Sequence, residues 1–156
     1  MKLKEFKYAQ EIRVFNACPP KQYEEQEQIA FRWVHEHLGN PNNFKPLAYQ
    51  NPELVNKWIS DDLRCKAHGL SFFNTFQGAK DKFMQETIKR PNFSKRIGNS
   101  IATVQLNTND GVCSKPEILN FGHFTFHEYI CIDLLENIKS VTKILKLNTD
   151  GSIDWL

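Results

Sequence analysis

Phe121-Gly122-His123-Phe124-Thr125-Phe126-His127-Glu128-Tyr129-Ile130-Cys131-Ile132-Asp133-Leu134 is the stretch whose reading decides the fold. Its four aromatic residues and two isoleucines favour strand over helix. Side chains alternate along a strand, so the segment divides into two faces. One face carries Phe124, Phe126, Glu128, Ile130, Ile132 and Leu134, a core face with a carboxylate in its middle. The other carries Phe121, His123, Thr125, His127, Tyr129, Cys131 and Asp133 and is rich in groups that transfer protons.

Glu128 is the anomaly of the segment, because an ionised carboxylate among Phe and Ile is costly unless paired or protonated. Either it stands near a bend, bulge or sheet rim and reaches water, or it lines a pocket with a raised pKa or a cationic partner, as active sites use. Glu128 and His123 are therefore candidate catalytic residues, and His127 and Tyr129 candidate ligand contacts. Against that stands the plainer reading of surface or hydrogen-bonded histidines. Histidine spacing gives no metal pair. His123 and His127 are about 13 Å apart on a strand, too far for two bonds of about 2.1 Å to one zinc. His35 and His37 diverge if helical. No metal is expected.

Working outward, Ile101–Leu106 reads as strand, and Asn109-Asp110-Gly111 as a hairpin turn. Val141–Leu147 and Ser152–Trp155 flank Asp150-Gly151, a second hairpin signal. Toward the N-terminus, Thr75 or Asn74 caps a helix carrying Phe76, Ala79, Phe83 and Thr87, ended by Arg90-Pro91. Ala67–Phe73 reads as strand, and Asn51-Pro52 opens a short helix over Glu53–Ile59. Tyr23–Leu38 puts Tyr23, Ala30, Trp33, Val34, His37 and Leu38 near one helical stripe closed by Gly39, which predicts the longest helix, with Trp33 and Val34 buried against the sheet. Glu11–Ala17 reads as a first short strand. Helices early and strands late predict an α+β fold: one domain over residues 1–156, with helices mainly of the N-terminal half packed on a mainly antiparallel sheet from the C-terminal half.

At 156 residues the chain has the size of one domain and buries a sizeable core. Its 40% apolar and 24% charged residues lie in the ordinary globular range. A net charge of +2 is too small to argue nucleic-acid binding from bulk charge. No apolar run approaches the ~18 residues of a spanning helix, and no apolar segment follows the charged start, so no membrane association and a cytoplasmic location are expected. Cys18, Cys65, Cys113 and Cys131 stand far apart, without a Cys-x-x-Cys pair, and are expected to be reduced thiols.

Two further places carry chemistry. His68-Gly69-Leu70-Ser71 precedes a helix cap, where polar groups meet anions, and Gly69 permits close backbone approach. His68 and Gly69 are thus candidate ligand contacts and Ser71 a candidate catalytic residue. A turn glycine beside a cap is the plainer account. Lys80–Arg96 holds six cations against Asp81 and Glu86, a candidate phosphate or nucleic-acid surface, or a solvated helix whose basic end complements its dipole.

The order of Arg13 on a first strand, Ser71 before a helix and Glu128 on a late strand resembles the ADP-ribosyltransferase arrangement. Many members carry Ser-Thr-Ser and Glu-x-Glu where this chain reads Leu70-Ser71-Phe72 and Phe126-His127-Glu128. The resemblance implies NAD as substrate, Arg13 on a phosphate, Ser71 ordering the site, and Glu128 orienting a nucleophile or stabilising positive charge on the ribose. Independently, a carboxylate in an apolar wall and a basic segment suit the cationic and phosphate parts of one nucleotide-like ligand. The competing expectation is a non-catalytic module that binds another protein, such as an immunity or adaptor protein. Nineteen aromatic residues, twelve of them Phe, supply either a core or an interface. A closed-in cleft holding Glu128 with Arg13 or Ser71 favours the enzyme, and a flat sheet face favours the binder.

Overall fold

Gln28–Val34 (β1) alternates cleanly: Ala30, Arg32 and Val34 are buried on one side, and Phe31 and Trp33 are half-buried on the other. The helix expected over Tyr23–Leu38 is therefore corrected to a strand. Its apolar residues satisfy a helical stripe, but Ala30–Val34 also divides, as a strand, into two faces that are apolar except at Arg32. The whole of β1 pairs residue for residue with Ser100–Leu106 (β3), and that non-local ladder overrides local preference.

The computed structural model describes residues 4–156. Around β1 and β3 lie Leu70–Phe73 (β2), Gly111–Cys113 (β4), His123–Glu128 (β5) and Ile138–Lys143 (β6). The six form one antiparallel sheet in the order β4-β5-β2-β1-β3-β6. Leu145–Leu147 (β7) and Ile153–Trp155 (β8) make a separate hairpin about Asp150-Gly151, as expected, but Val141–Lys143 of the expected first strand belong instead to β6 and pair with β3. Six helices precede β3: Ala9–Ile12 (α1), Leu47–Gln50 (α2), Pro52–Asn56 (α3), Asp61–Ala67 (α4), Phe76–Lys89 (α5) and Phe93–Ile97 (α6). The class is α+β, with helices early, although β1 and β2 in the middle of the sheet come from the first half of the chain. The Asn51 side chain accepts from Leu54 N and the Thr75 hydroxyl from Gly78 N, so both expected caps form.

Other expectations are corrected. Glu11–Ala17 is not a strand. Ile12 closes α1, and Ala17 has a positive φ of 52°, which a ladder does not accommodate. The strand expected over Phe121–Leu134 is only β5, because Phe121 and Cys131 have left-handed φ values and Leu134 opens a 3-10 turn. Gly111 follows a turn, but β3 and β4 do not pair. They stand four strand spacings apart in the order, about 19 Å on a flat sheet, yet only Asn107–Asp110 joins them. The sheet curls to bring them near, and Glu24, upstream of β1, exchanges two backbone hydrogen bonds of 3.0 and 2.7 Å with Cys113 of β4. Asp110 holds the corner by accepting from Asn107 N and the Asn137 side chain.

Two cores result. Inside the curl, Ala30, Val34, Leu70, Phe72, Ala102, Val104, Leu106, Phe124 and Phe126 pack together. On the outer face, Phe73 and Ile101 meet Ala79 and Phe83 of α5 and Phe93 of α6, and Trp33 lies against Phe73, Phe83 and Phe93 while donating to Ala79 O at 2.8 Å.

The cysteines are also corrected. Cys18 and Cys65 form a disulfide, while Cys113 and Cys131 are free. Forty-seven positions separate the bonded pair, so no spacing motif announces it. Folding α4 against the Phe15–Pro20 turn brings them together. Among the described residues no helix is long and apolar enough to cross a membrane.

Candidate functional site

Cross-strand pairing settles which candidates share a face. Ser71 lies opposite Thr125, and Leu70 and Phe72 opposite Phe126 and Phe124. Ser71 therefore faces outward with His123, Thr125 and His127, whereas Glu128 faces inward with Phe124 and Phe126. Arg13 caps α1, exposed and without an ion pair or side-chain hydrogen bond among the described residues. Arg13, Ser71 and Glu128 are not brought together.

Glu128 sits at the foot of a cleft of about 240 Å³, walled by Leu38, Phe44, Ile132, Leu134 and Leu135, with Lys7, Asn40 and Asp133 also lining it. Its side chain is 3% exposed, so it does not reach water at a rim. Lys7 comes from the N-terminal segment, which pairs with the end of β5 through Phe6 and Tyr129 and through Lys7 N to Glu128 O. Lys7 Nζ stands 3.7 Å from Glu128 Oε1, an ion-pair separation longer than a hydrogen bond. Oε1 is buried without a hydrogen-bond partner. Burial pushes the Glu128 carboxyl up to about 7, against the opposing pull of Lys7 and Arg32.

Arg32 is the buried cation of this site. Its Nε donates to Asn43 O at 2.7 Å and its Nη1 to Ser71 O at 2.9 Å, and the guanidinium lies 5.9 Å from the ring centres of Phe44 and Phe72. Burial brings its pKa down to about 10, so it stays charged at neutral pH. Asn43 fixes the loop that carries it, accepting from His35 N and donating to His35 O and His37 O. The same loop contributes Asn40 to a second cleft of about 380 Å³, where Lys95 and Arg96 face His35, Asn42 and Gln50. Two clefts with a common wall at Asn40 thus differ in character: one has a buried acid at its foot, and the other carries two exposed cations.

On the outer face, His123 Nε2 lies 3.0 Å from Ser71 Oγ and its Nδ1 3.1 Å from Glu117 Oε1. Glu117 is pinned by backbone bonding to His123. Burial pulls the His123 pKa below the ordinary histidine value, partly offset by Glu117. This is the order nucleophile, base and orienting carboxylate, on an open strand surface. The remaining candidates scatter. His127 is buried, with Nε2 3.9 Å from Cys65 Sγ, and burial pulls it down to about 4. Gly69 packs against His127 and Thr125. His68 ends α4 rather than preceding a helix, with Nδ1 on Arg64 O and its ring against Phe15 and Tyr49. Tyr129 is buried on Phe6. Within Lys80–Arg96, Lys82 and Arg90 bracket Glu86, and Lys80 reaches Leu156 O.

Lys7, Arg32, Asn40 and Glu117 escape sequence reasoning. Arg32 had a signal: in a strand reading it shares a face with Ala30 and Val34, as Glu128 does with Phe124 and Phe126. Lys7, Asn40 and Glu117 had none. Compared with known proteins, the chain matches no family model, no curated protein and no solved structure.

Proposed function

We propose that the chain binds a small nucleotide-like ligand across the two clefts that meet at Asn40. The ligand's N–H or cationic end meets Glu128, and its phosphate meets Lys95 and Arg96. The observation that carries this reading is the buried Oε1 of Glu128 at the foot of a cleft, with Lys7 at ion-pair distance but no hydrogen-bond donor. A buried acceptor without a donor costs about 1–3 kcal/mol, which a ligand donor recovers. The reading rests on Glu128, Lys95 and Arg96 rather than on Arg13 and Ser71. Size also selects. About 240 Å³ lies below the ~300–1,000 Å³ of drug-sized pockets, enough for one ring and its substituents. A mononucleotide, with its base in the first cleft and its phosphate in the second, suits the pair of clefts. The expected cytoplasmic location goes with such a ligand, but the Cys18–Cys65 disulfide weighs against it, because a reducing compartment disfavours that bond.

Thermal-shift and calorimetric titration with AMP, GMP, cyclic nucleotides, NAD and the parent nucleosides tests it. A true ligand at a hundredfold its Kd adds about 2.7 kcal/mol, which is about 5–10 °C for a chain of this size. Lys95→Ala with Arg96→Ala removes the advantage of nucleotide over nucleoside, and Glu128→Gln weakens both. No response to any nucleotide, or unchanged binding by Glu128→Gln, overturns the reading.

A second reading has its own observation, the Ser71–His123–Glu117 chain of hydrogen bonds. It supports an ester-cleaving hydrolase in which His123 takes the Ser71 proton as Oγ attacks a carbonyl carbon. Labelling of Ser71 by a fluorophosphonate, lost in Ser71→Ala and His123→Gln, supports it. Labelling no faster than that of surface serines ends it. A chain that takes neither nucleotide nor probe returns to the protein-binding alternative.

A further inference from the structure

The outer face of β5 holds one more group of chemically competent atoms. Cys18 Sγ, Cys65 Sγ and His127 Nε2 all lie within 4.8 Å of one another, on three separate parts of the chain. We propose that this cluster is a redox-gated site for one thiophilic divalent ion of the zinc class. The disulfide is its closed form and the dithiol its metal-binding form.

Tetrahedral zinc binds thiolate at about 2.3 Å and imidazole at about 2.0–2.1 Å, so the sulfur and nitrogen of neighbouring ligands stand about 3.6 Å apart. Cys65 Sγ and His127 Nε2 are already 3.9 Å apart. Reduction releases Cys18 from Cys65, letting the two sulfurs move to the about 3.8 Å that the same geometry asks. Cys18 is only half-buried, on an irregular turn outside the sheet, so it is the ligand free to move. His127 and Cys65 are held by β5 and α4. Among the described residues the His127 ring has no hydrogen-bonding contact other than that sulfur. Gly69 keeps the approach open, since a Cβ there would stand 3.1 Å from His127 Nε2 and 3.0 Å from Phe126 O. Three protein ligands leave a fourth position for water or another small donor, the pattern of an open rather than a closed site.

The chemistry balances with a dithiol as reductant. One of its thiolates attacks a sulfur of the Cys18–Cys65 bond, and the second resolves the mixed disulfide. The reductant leaves as its own cyclic disulfide and the chain gains two thiols. The ion then displaces two protons, one from each thiol, and takes the lone pair of neutral His127 Nε2. The site is independent of the Glu128 cleft. His127 and Glu128 are neighbours in sequence but face opposite sides of the sheet, so nucleotide binding and metal binding fail or succeed separately.

The test compares the full chain in its disulfide form with the same chain reduced by a phosphine, which supplies no competing thiol. Zn²⁺ is titrated and bound metal counted by mass spectrometry, and Co²⁺ is used as the absorbing probe. One ion per reduced chain, none per oxidised chain and a sulfur-to-cobalt charge-transfer band are expected. Cys18→Ser and Cys65→Ser should each weaken Zn²⁺ binding about a hundredfold or more, whereas Cys113→Ser and Cys131→Ser leave it unchanged. His127→Gln should weaken binding while keeping the sulfur band. Because His127 and Cys65 are buried, circular dichroism accompanies each variant, and the wild-type comparison stands without them. No uptake by the reduced chain, equal uptake by the oxidised chain, or undiminished binding by folded Cys18→Ser overturns the proposal.

Discussion

Replacing Glu128 by glutamine keeps the shape of the side chain and removes its charge. Two opposing effects meet there. Lys7 at 3.7 Å and the buried Arg32 favour the ionised carboxylate, and loss of water disfavours it. Desolvation wins, since the carboxyl rises from 4.5 to about 7. Below pH 4.5 the group is protonated in both folded and unfolded chains and costs nothing. Between 4.5 and about 7 the unfolded chain gives up its proton first, so stability falls as pH rises. Above 7 the whole cost is present, about 3 kcal/mol at about 1.4 kcal/mol per pH unit. Glutamine is neutral throughout. Arg32 keeps its bonds to Asn43 O and Ser71 O and its two flanking rings, so it is not stranded by the exchange. Glu128→Gln should therefore match the wild type near pH 4.5 and exceed it by up to about 3 kcal/mol at pH 8, or roughly 6–12 °C. The assay is urea denaturation of both proteins in the disulfide form at pH 5 and pH 8. A variant less stable than the wild type at pH 8, by up to about 3–5 kcal/mol, would refute the reasoning and show instead that Glu128 is held ionised in a stabilising buried ion pair.

Three other outcomes are expected. Cys18→Ser opens a loop of 47 positions and should lower stability by about 4 kcal/mol relative to the oxidised chain, with no difference from wild type once both are reduced. Glu86, held below the usual carboxylate range first by Arg90 and then by Lys82, contributes stability above pH 4.5 that is lost as pH falls through its lower folded value. Glu86→Gln should accordingly be about 0.5–1 kcal/mol less stable at pH 7 and equal in acid, as read from denaturation midpoints. Phe83, fully buried between Trp33, Phe93 and Trp155, should cost about 3–5 kcal/mol on truncation to Ala. A loss below 1 kcal/mol would show that α5 is not tightly packed on the sheet at Phe83.

Much of the local structure was legible because its causes are local. Asn51 and Thr75 cap helices through bonds that span three residues. Asp150-Gly151 turns a chain whose two sides pair with each other. The anomaly of Glu128 was visible as well, since alternation alone sets it among Phe124 and Phe126. Where the reading failed, two local patterns competed and a distant partner chose between them. Gln28–Val34 fits a helical stripe and a strand alternation together, and only β3, some seventy residues away, makes the strand the better answer. Asn109-Asp110-Gly111 does turn the chain, but the strand it leads into pairs with β5 and not with β3.

By itself the sequence determined the α+β class, the caps, the terminal hairpin and the presence of an acid in an apolar wall. Each follows from backbone and side-chain physics within a few residues. Tertiary structure alone decided that Ser71 and Glu128 face opposite ways, that Lys7 and Arg32 flank the acid, and that Asn40 joins two clefts. It alone brought Cys18, Cys65 and His127 within 4.8 Å. These are contacts between segments tens of residues apart. Loop closure and strand register set them, and no spacing along the chain encodes either.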